Sequence, residues 1–508
     1  MSQTCPVAFV MTRLPARQQP RLTHIKRAMH SFASVVSAIA FSTLIPVAAQ
    51  TADPADTEAL IARLNEQREA LATMQQEQGT FGQNSDDMLA LLQSLTETLL
   101  LARAEGEALD ALNQQLQIIK VHDGLYSEAQ IPVLLQIVDV LAGQRQWEEV
   151  SDRLDYIHWM LPRTPEMPLE TKLTVLQQTD ERLRFALLHG PRDREARYLL
   201  QLREQREQAL ELALDAGNTE QIDALQYDLA LAELYIGLAM VTTTDTSQAL
   251  INEEHGIPST TPLRPLQRIT SVSDLETMYG SRTTTVIERA HRSAMTRHYQ
   301  LIEEIGERQS EEPEVQAMLK LYLGDSVLLR QQYELRTGTL ISDARGSNNI
   351  GSAATYYRDA WTLFKEAGYS DSELNAYFAC PALLPLQTLS LELKTGNSHC
   401  EITGEDALMT INNVVMTEGA LPAFAYEEMP QTLREMTTNG VKTLLEFRIG
   451  VNGQAENIDI IDATPDTTGA RIQGRDALRS LQFRPVLIDG EAQRRQNVRL
   501  TLISLNQD

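Results

Sequence analysis

Cys380 and Cys400 are the first residues in this 508-residue chain whose type and number allow covalent chemistry. Cys5, the third of the three cysteines, lies in an N-terminal stretch expected to be removed. An even pair in an oxidising compartment closes a disulfide. A bridge over this loop contributes roughly 3 kcal/mol on the chain-entropy model. Two buried free thiols are the other reading. The nine histidines are scattered, and none has a second His four residues away. The stretch HGPRD at His189 reads as a turn. The adjacent acids Glu148-Glu149, Glu253-Glu254 and Glu303-Glu304 point to different sides of a helix and do not converge on one substrate atom. The zinc-protease, nucleophile-elbow, phosphate-loop, dithiol and dinucleotide patterns are all absent. The chain therefore reads as a non-enzyme, with no metal and no cofactor.

The chemistry that remains is recognition through the backbone. It is expected near the C-terminus, around RSLQFRPVLIDGEAQ, residues 479–493. Upstream, VKTLLEFRIGVNGQAENIDIID alternates with period two. Thr443, Leu445, Phe447 and Ile449 share one face; Lys442, Glu446 and Arg448 share the other. Asn452-Gly453 is a hairpin turn pair, and Ile458 and Ile460 share a face of the returning strand. A helix follows, with Ile472, Leu478 and Leu481 expected inward. Asp489-Gly490 is a second turn, and Val498, Leu500 and Leu502 alternate on a last strand. That strand ends the chain, so it is expected at a sheet edge, where unpaired N–H and C=O groups receive an extended peptide. The candidate binding residues are Asn497, Val498, Arg499, Leu500, Thr501, Leu502 and Ile503. Arg494 and Arg495, with Arg499, either steer an acidic segment or guard the edge.

The elements that must position this strand are mostly helical. Apolar residues make up 43% of the chain and aromatics 5%, a globular composition that suits helical repeats. Residues 50–120 predict two or three amphipathic helices. Two apolar helical stretches meet at AGQRQ within residues 126–165. Further pairs are expected around Gly217-Asn218, and in PEVQAMLKLYLGDSVLLRQQYELRTG with AATYYRDAWTLFKEAGY. A single hairpin cannot bury its own apolar face, so several should stack into a solenoid, with an irregular bundle as the alternative. Residues 242–282, rich in Thr, Ser and Pro, read as a loop insertion. Residues 376–429 read as a linker carrying the cysteine pair. Residues 430–508 read as a small α+β domain, opened by a short helix from Pro430 to Asn439-Gly440.

Charge and the N-terminus bound the partners. The net charge is -25, although the first 49 residues carry five basic side chains and no acid. So acidic a body repels nucleic acid and anionic lipid, which leaves protein partners. Residues 1–49 have the form of a signal peptide. Arg13, Arg17, Arg21, Lys26 and Arg27 precede an apolar run that ends at Pro46, with small residues at Val47 and Ala49 before Gln50. Secretion across the inner membrane into the periplasm is expected. An uncleaved anchor is the alternative, and membrane association would then run through it or through partners. Initiation at Met11 or Met29 instead of Met1 stays open.

Two resemblances follow from these residues. Trp147, Glu148, Glu149, Val150, Ile157 and Pro162 have a spacing that resembles a tetratricopeptide helical hairpin, although Val150 and Ile157 are bulkier than that family's small residues. The block TLLEFRIGVNGQA with ALRSLQFRPVLIDG resembles the C-terminal domain of the TonB family of periplasmic energy transducers. Phe447, Ile449, Gly453, Phe483, Pro485 and Gly490 stand at its motif positions, and Pro430 where the family has Tyr-Pro. The resemblance covers about 80 residues of the 508. The fold implied is mainly α: a tetratricopeptide-like helical-hairpin solenoid before a small α+β TonB-like domain. The function implied is transport-linked binding of envelope partners, such as TonB-dependent outer-membrane receptors, by strand addition. The Pro-rich spacer and membrane-embedded His of that family are missing here. A periplasmic helical-repeat scaffold with no part in energy transduction is the alternative.

Overall fold

The computed structural model describes residues 54–78, 85–242, 249–250, 281–309, 312–337, 352–393, 400–403, 408–416, 421, 423–425 and 440–504. The signal-like segment 1–49, most of the loop 242–282, and Pro430 with its expected helix lie outside these residues. The described chain is mainly helical, with a small sheet at its C-terminal end.

The helices run α1 Pro54–Gln78, α2 Ser85–Leu101, α3 Glu105–His122, α4 Gln130–Gly143, α5 Trp147–Met160, α6 Leu169–His189, α7 Glu195–Ala216, α8 Thr219–Thr242, α9 Ser281–Arg308, α10 Pro313–Thr337, α11 Ala353–Glu366 and α12 Asp371–Phe378. With few exceptions each packs most closely on the next in sequence, as short connections require. The α4–α5 turn is tight, with Arg145 at φ 59°. On α5, Val150, Leu154, Ile157 and Met160 are buried, one stripe at helical spacing. Gly217 ends α7 in the left-handed conformation, φ 67°, which glycine adopts without steric cost. Ser370 and Glu373 form a capping box on α12, each side chain satisfying the other's backbone N–H. No helix among the described residues is long and apolar enough to cross a membrane.

The strands are β1 Ala382–Leu384, β2 Cys400–Thr403, β3 Leu408–Met416, β4 Phe424–Ala425, β5 Val441–Ile449, β6 Ala455–Thr464, β7 Gln482–Arg484, β8 Val486–Ile488, β9 Glu491–Gln493 and β10 Arg495–Ser504, with helix α13, Thr468–Ser480, between β6 and β7. The main sheet has the order β2-β3-β10-β5-β6, and β4 also pairs β3. β1 pairs β7, and β8 with β9 forms a separate hairpin. Residues 376–429 are therefore not a linker: β2, β3 and β4 belong to the sheet, and β1 holds β7. β1, β2 and β4 are only two to four residues long, and in β3, LMTINNVVM, the neighbours Asn412-Asn413 and Val414-Val415 break period-two alternation.

α13 covers one sheet face with Ala470, Gly474, Ala477 and Leu478. Ile472 is 53% exposed, not inward as expected. It sits two residues from Ala470 and Gly474, hence on the opposite side of the helix. The small residues let the helix lie close to the sheet, and a Cβ on Gly474 would meet Thr443 Cγ2 at 2.6 Å.

The described residues fall in one compact unit. The largest apolar core runs along the helices and also takes in Leu384, Val415, Leu487 and Ile503. The sheet and α13 share their own core, built on Leu445, Phe447, Leu478, Phe483 and Leu500.

Candidate functional site

β10 is an interior strand. On one side it pairs antiparallel with β5, including Val498 with Phe447 and Thr501 with Leu444. On the other it pairs parallel with β3, including Leu500 with Ile411 and Leu502 with Val414. The expectation that the last strand forms a sheet edge is corrected: its N–H and C=O groups are used on both sides. Position in the chain does not set position in a sheet, and β3 comes back to cover this flank. Val498, Leu500 and Leu502 are buried in the sheet core, while Ile503 is buried among the helices. Burial of adjacent residues is the mark of a strand covered on both faces. The end of the strand, Leu502-Ile503, carried that signal in the sequence.

The arginines do not form one binding surface. Arg494 is exposed ahead of β10 and Asn497 is exposed at φ 54° beside a bulge. Arg495 pairs with Ile449 in the ladder. Arg499 is held by Glu446 at 2.8 Å, and Arg448 Nε lies 2.9 Å from Glu456 Oε2. These cross-strand ion pairs make the partly exposed face of the sheet polar.

Phe447, Gly453 and Phe483 meet at one point. Gly453 turns the β5–β6 hairpin at φ +73°, and its O accepts from Phe483 N at 3.0 Å. A Cβ there would stand 1.8 Å from Phe483 O, so only glycine lets the turn touch β7. Gln482 Nε2 donates to Asn452 O at 2.7 Å and clips the same turn. The rings of Phe447 and Phe483 lie 5.9 Å apart, with Ile449 buried beside Phe447 in the same core.

Alternation then aims the next residue the other way. Phe483 enters the sheet core, and Arg484 enters the helices. Its guanidinium grips Asp325 of α10 bidentately, with Nε 2.9 Å from Oδ1. Tyr357 OH of α11 donates to the same Oδ1 at 2.9 Å. The Arg484 and Asp325 side chains are 5% and 6% exposed. Burial works against the arginine's charge, and the Asp325 carboxylate outweighs it, so Arg484 is held above its ordinary range. Burial, then Asp325, push the Tyr357 hydroxyl well up, so it stays a neutral donor. The group is a fixed ionic clasp with no proton to give at ordinary pH.

Pro485 follows and leads into β8. The Asp489-Gly490 turn rests on α11 and α12: Asn375 Nδ2 donates to Asp489 Oδ1 at 3.2 Å, and Asp489 N to Asn375 Oδ1 at 3.1 Å. A Cβ on Gly490 would meet Trp361 at 3.0 Å. After β1, the chain from Pro385 lies across the helices. Tyr227 OH donates to Leu386 O at 2.7 Å, Tyr235 OH to Gln387 Oε1 at 2.8 Å, and Tyr322 OH to Thr388 O at 3.1 Å. Cys380 and Cys400 are joined by a disulfide that ties the end of α12 to β2. Sequence reading missed the clasp and this strap. The signal for the clasp was an arginine alternating with a buried phenylalanine.

Among the described residues, β6 is the long strand paired on one side only. It carries exposed Asn457, Asp459, Ile461 and Asp462. Two bulges interrupt its register with β5. No group of three or more His, Cys, Asp or Glu among the described residues could hold a metal ion. Compared with known proteins, the chain matches no family model and no curated protein sequence.

Proposed function

We propose that the chain is a periplasmic scaffold protein, in which a helical array of tetratricopeptide type carries a TonB-like sheet as a fixed docking module. The observation that supports this best is the buried Arg484–Asp325 clasp. A transducer needs its C-terminal domain free on a spacer to reach a distant receptor. A clasp and a shared apolar core hold this domain against the helices instead. The Cys380–Cys400 disulfide supports an oxidising compartment and, with the signal-like N-terminus, the periplasm. On this reading an extended partner segment adds to the edge of β6 that is unpaired among the described residues. Its exposed Asp459 and Asp462 favour a segment carrying Lys or Arg.

The test is photo-crosslinking in cells from residues 457, 459 and 461 on β6, with position 497 on the interior strand as control. Capture of envelope proteins from β6 positions alone is expected. Equal capture from position 497, or none from β6, overturns strand addition at this edge. A second reading, coupling to outer-membrane transport, rests on the meeting of Phe447, Gly453 and Phe483 at one turn. It requires that the captured protein be an outer-membrane receptor, and that reversing the exposed β6 charges, Asp459→Lys with Asp462→Lys, abolish receptor-dependent uptake. Unchanged uptake leaves the scaffold.

A further inference from the structure

Residues 385–393, the strap that follows β1, have neither helix nor strand. Their backbone is gripped by side chains of α8 and α10. The Tyr322 hydroxyl donates to Thr388 O at 3.1 Å and accepts from Ser390 N at 2.8 Å. A carbonyl and an N–H two residues apart are the pair that one residue of a parallel neighbouring strand would hold. One phenol thus takes the place of a strand residue. Tyr227 OH donates to Leu386 O at 2.7 Å, and Glu314 Oε1 accepts from Leu393 N at 2.8 Å. As the strap runs from 388 to 393, its partners on α10 fall from Tyr322 to Glu314, so it lies antiparallel to that helix.

The leucines of the strap fill the spaces between these bonds. Leu393 is buried in the helical core, and Leu386, Leu389 and Leu391 pack against it half-buried, while Thr388 and Glu392 are exposed. The gripping groups are themselves fixed. Tyr227 and Tyr322 meet edge to face at 5.1 Å, and Tyr369 OH donates to Glu314 Oε1 at 2.8 Å, which orients that carboxylate. Burial pushes Tyr322 up to about 12, so its hydroxyl keeps its proton. Backbone bonds that hold any sequence, with side-chain seats that select leucine, are how a protein recognises an extended peptide. None of the bonds just described belongs to a ladder or a helix, so the strap can leave without opening either.

The strap is tethered on both sides. β1 pairs with β7 ahead of it, and the Cys380–Cys400 disulfide closes the loop that contains it. A tether keeps the strap at high effective concentration over its seat, and a free segment binds only in proportion to the time the strap is away. We propose that the face of α8 and α10 is a binding groove for an extended, leucine-rich protein segment, and that residues 385–393 fill it in cis until such a segment displaces them. The occupant is a polypeptide because the fixed groups match the alternating C=O and N–H of a peptide, which neither a lipid chain nor a nucleic acid offers. The groove is separate from the β6 edge and does not depend on strand addition there.

The probe is the fluorescein-labelled peptide Pro-Leu-Gln-Thr-Leu-Ser-Leu-Glu-Leu, the sequence of residues 385–393, titrated with the full chain and followed by anisotropy. Leu386→Ser, Leu389→Ser and Leu391→Ser together loosen the strap, and this variant should bind the peptide about tenfold or more tighter than wild type. Adding Tyr322→Phe, which keeps the ring and removes the hydroxyl, should weaken that binding about fivefold. A peptide with serine in place of every leucine should not bind. In wild type, a large excess of the leucine peptide should speed hydrogen exchange at the Ser390 and Leu393 amides. The proposal is overturned by a folded triple variant that binds no tighter than wild type, by binding that ignores Tyr322→Phe, or by equal binding of the serine peptide. Wild-type amides that stay protected under excess peptide overturn it as well, and that measurement decides alone if the triple variant fails to fold.

Discussion

Asp325 receives two donors from Arg484 and one from Tyr357, all three deep between sheet and helices. Asp325→Asn would leave the guanidinium buried without its counter-charge. A loss of about 3–5 kcal/mol is expected in urea unfolding. Replacing both partners, Asp325→Leu with Arg484→Met, should recover most of that loss, because no charge is then stranded. His298 offers a pH test. Burial pushes it down to about 4, although the Ala230 carbonyl, 2.7 Å from Nδ1, favours the charged ring. Ser326 Oγ lies 3.0 Å from Nε2. The folded state thus prefers the neutral ring. Its contribution is fully present above the ordinary value of 6.5 and is lost as pH falls to about 4. The amount is on the order of 3 kcal/mol. His298→Gln should lose stability less steeply than wild type between these limits, measured as urea midpoints at several pH values.

Strands and helices add tests of their own. Leu500 lies mid-strand in β10, opposite Leu445 of β5 on one flank and Ile411 of β3 on the other. Leu500→Pro removes a donor from an interior strand and should destabilise the fold by about 3 kcal/mol or more. Circular dichroism and urea unfolding check this, and a variant that folds like wild type would contradict the interior position. On α13, Gly474→Val would drive a side chain into Thr443, at an expected cost of about 1–3 kcal/mol. Thr443→Ala in the same chain should restore part of it. The β5 alternation is legible because one face is buried and the other half-exposed. Ile472 is misread because apolar character alone does not say which side of a helix meets the sheet.

For the whole molecule, the sharing of Leu384, Val415, Leu487 and Ile503 with the helical core couples sheet to helices. Calorimetry on the oxidised protein is expected to show the sheet and the neighbouring helices melting together. Two resolved transitions, one following the sheet and one the helices, would contradict that coupling. Cys380 and Cys400 are 20 residues apart in sequence, and reduction should remove about 3 kcal/mol, chiefly by freeing the unfolded chain. Because the bridge joins α12 to β2, its loss should loosen the sheet first, seen as faster hydrogen exchange in β2 and β3.

The amino-acid sequence by itself determined what local rules control. Period-two alternation marks β5, Asp489-Gly490 and Asn452-Gly453 mark turns, Gly217 ends a helix, and Val150 and Ile157, seven positions apart, mark one helix face. Each of these depends on residues within a few positions of one another. What only the tertiary structure decided depends on residues far apart. β3 meets β10 across more than eighty positions, and so turns a terminal strand into an interior one. Asp325 meets Arg484 across 159 positions, and so turns a separate-looking domain into a docked one. Strand order and docking are set by which apolar faces and buried charges find cover, and no local pattern specifies the partner.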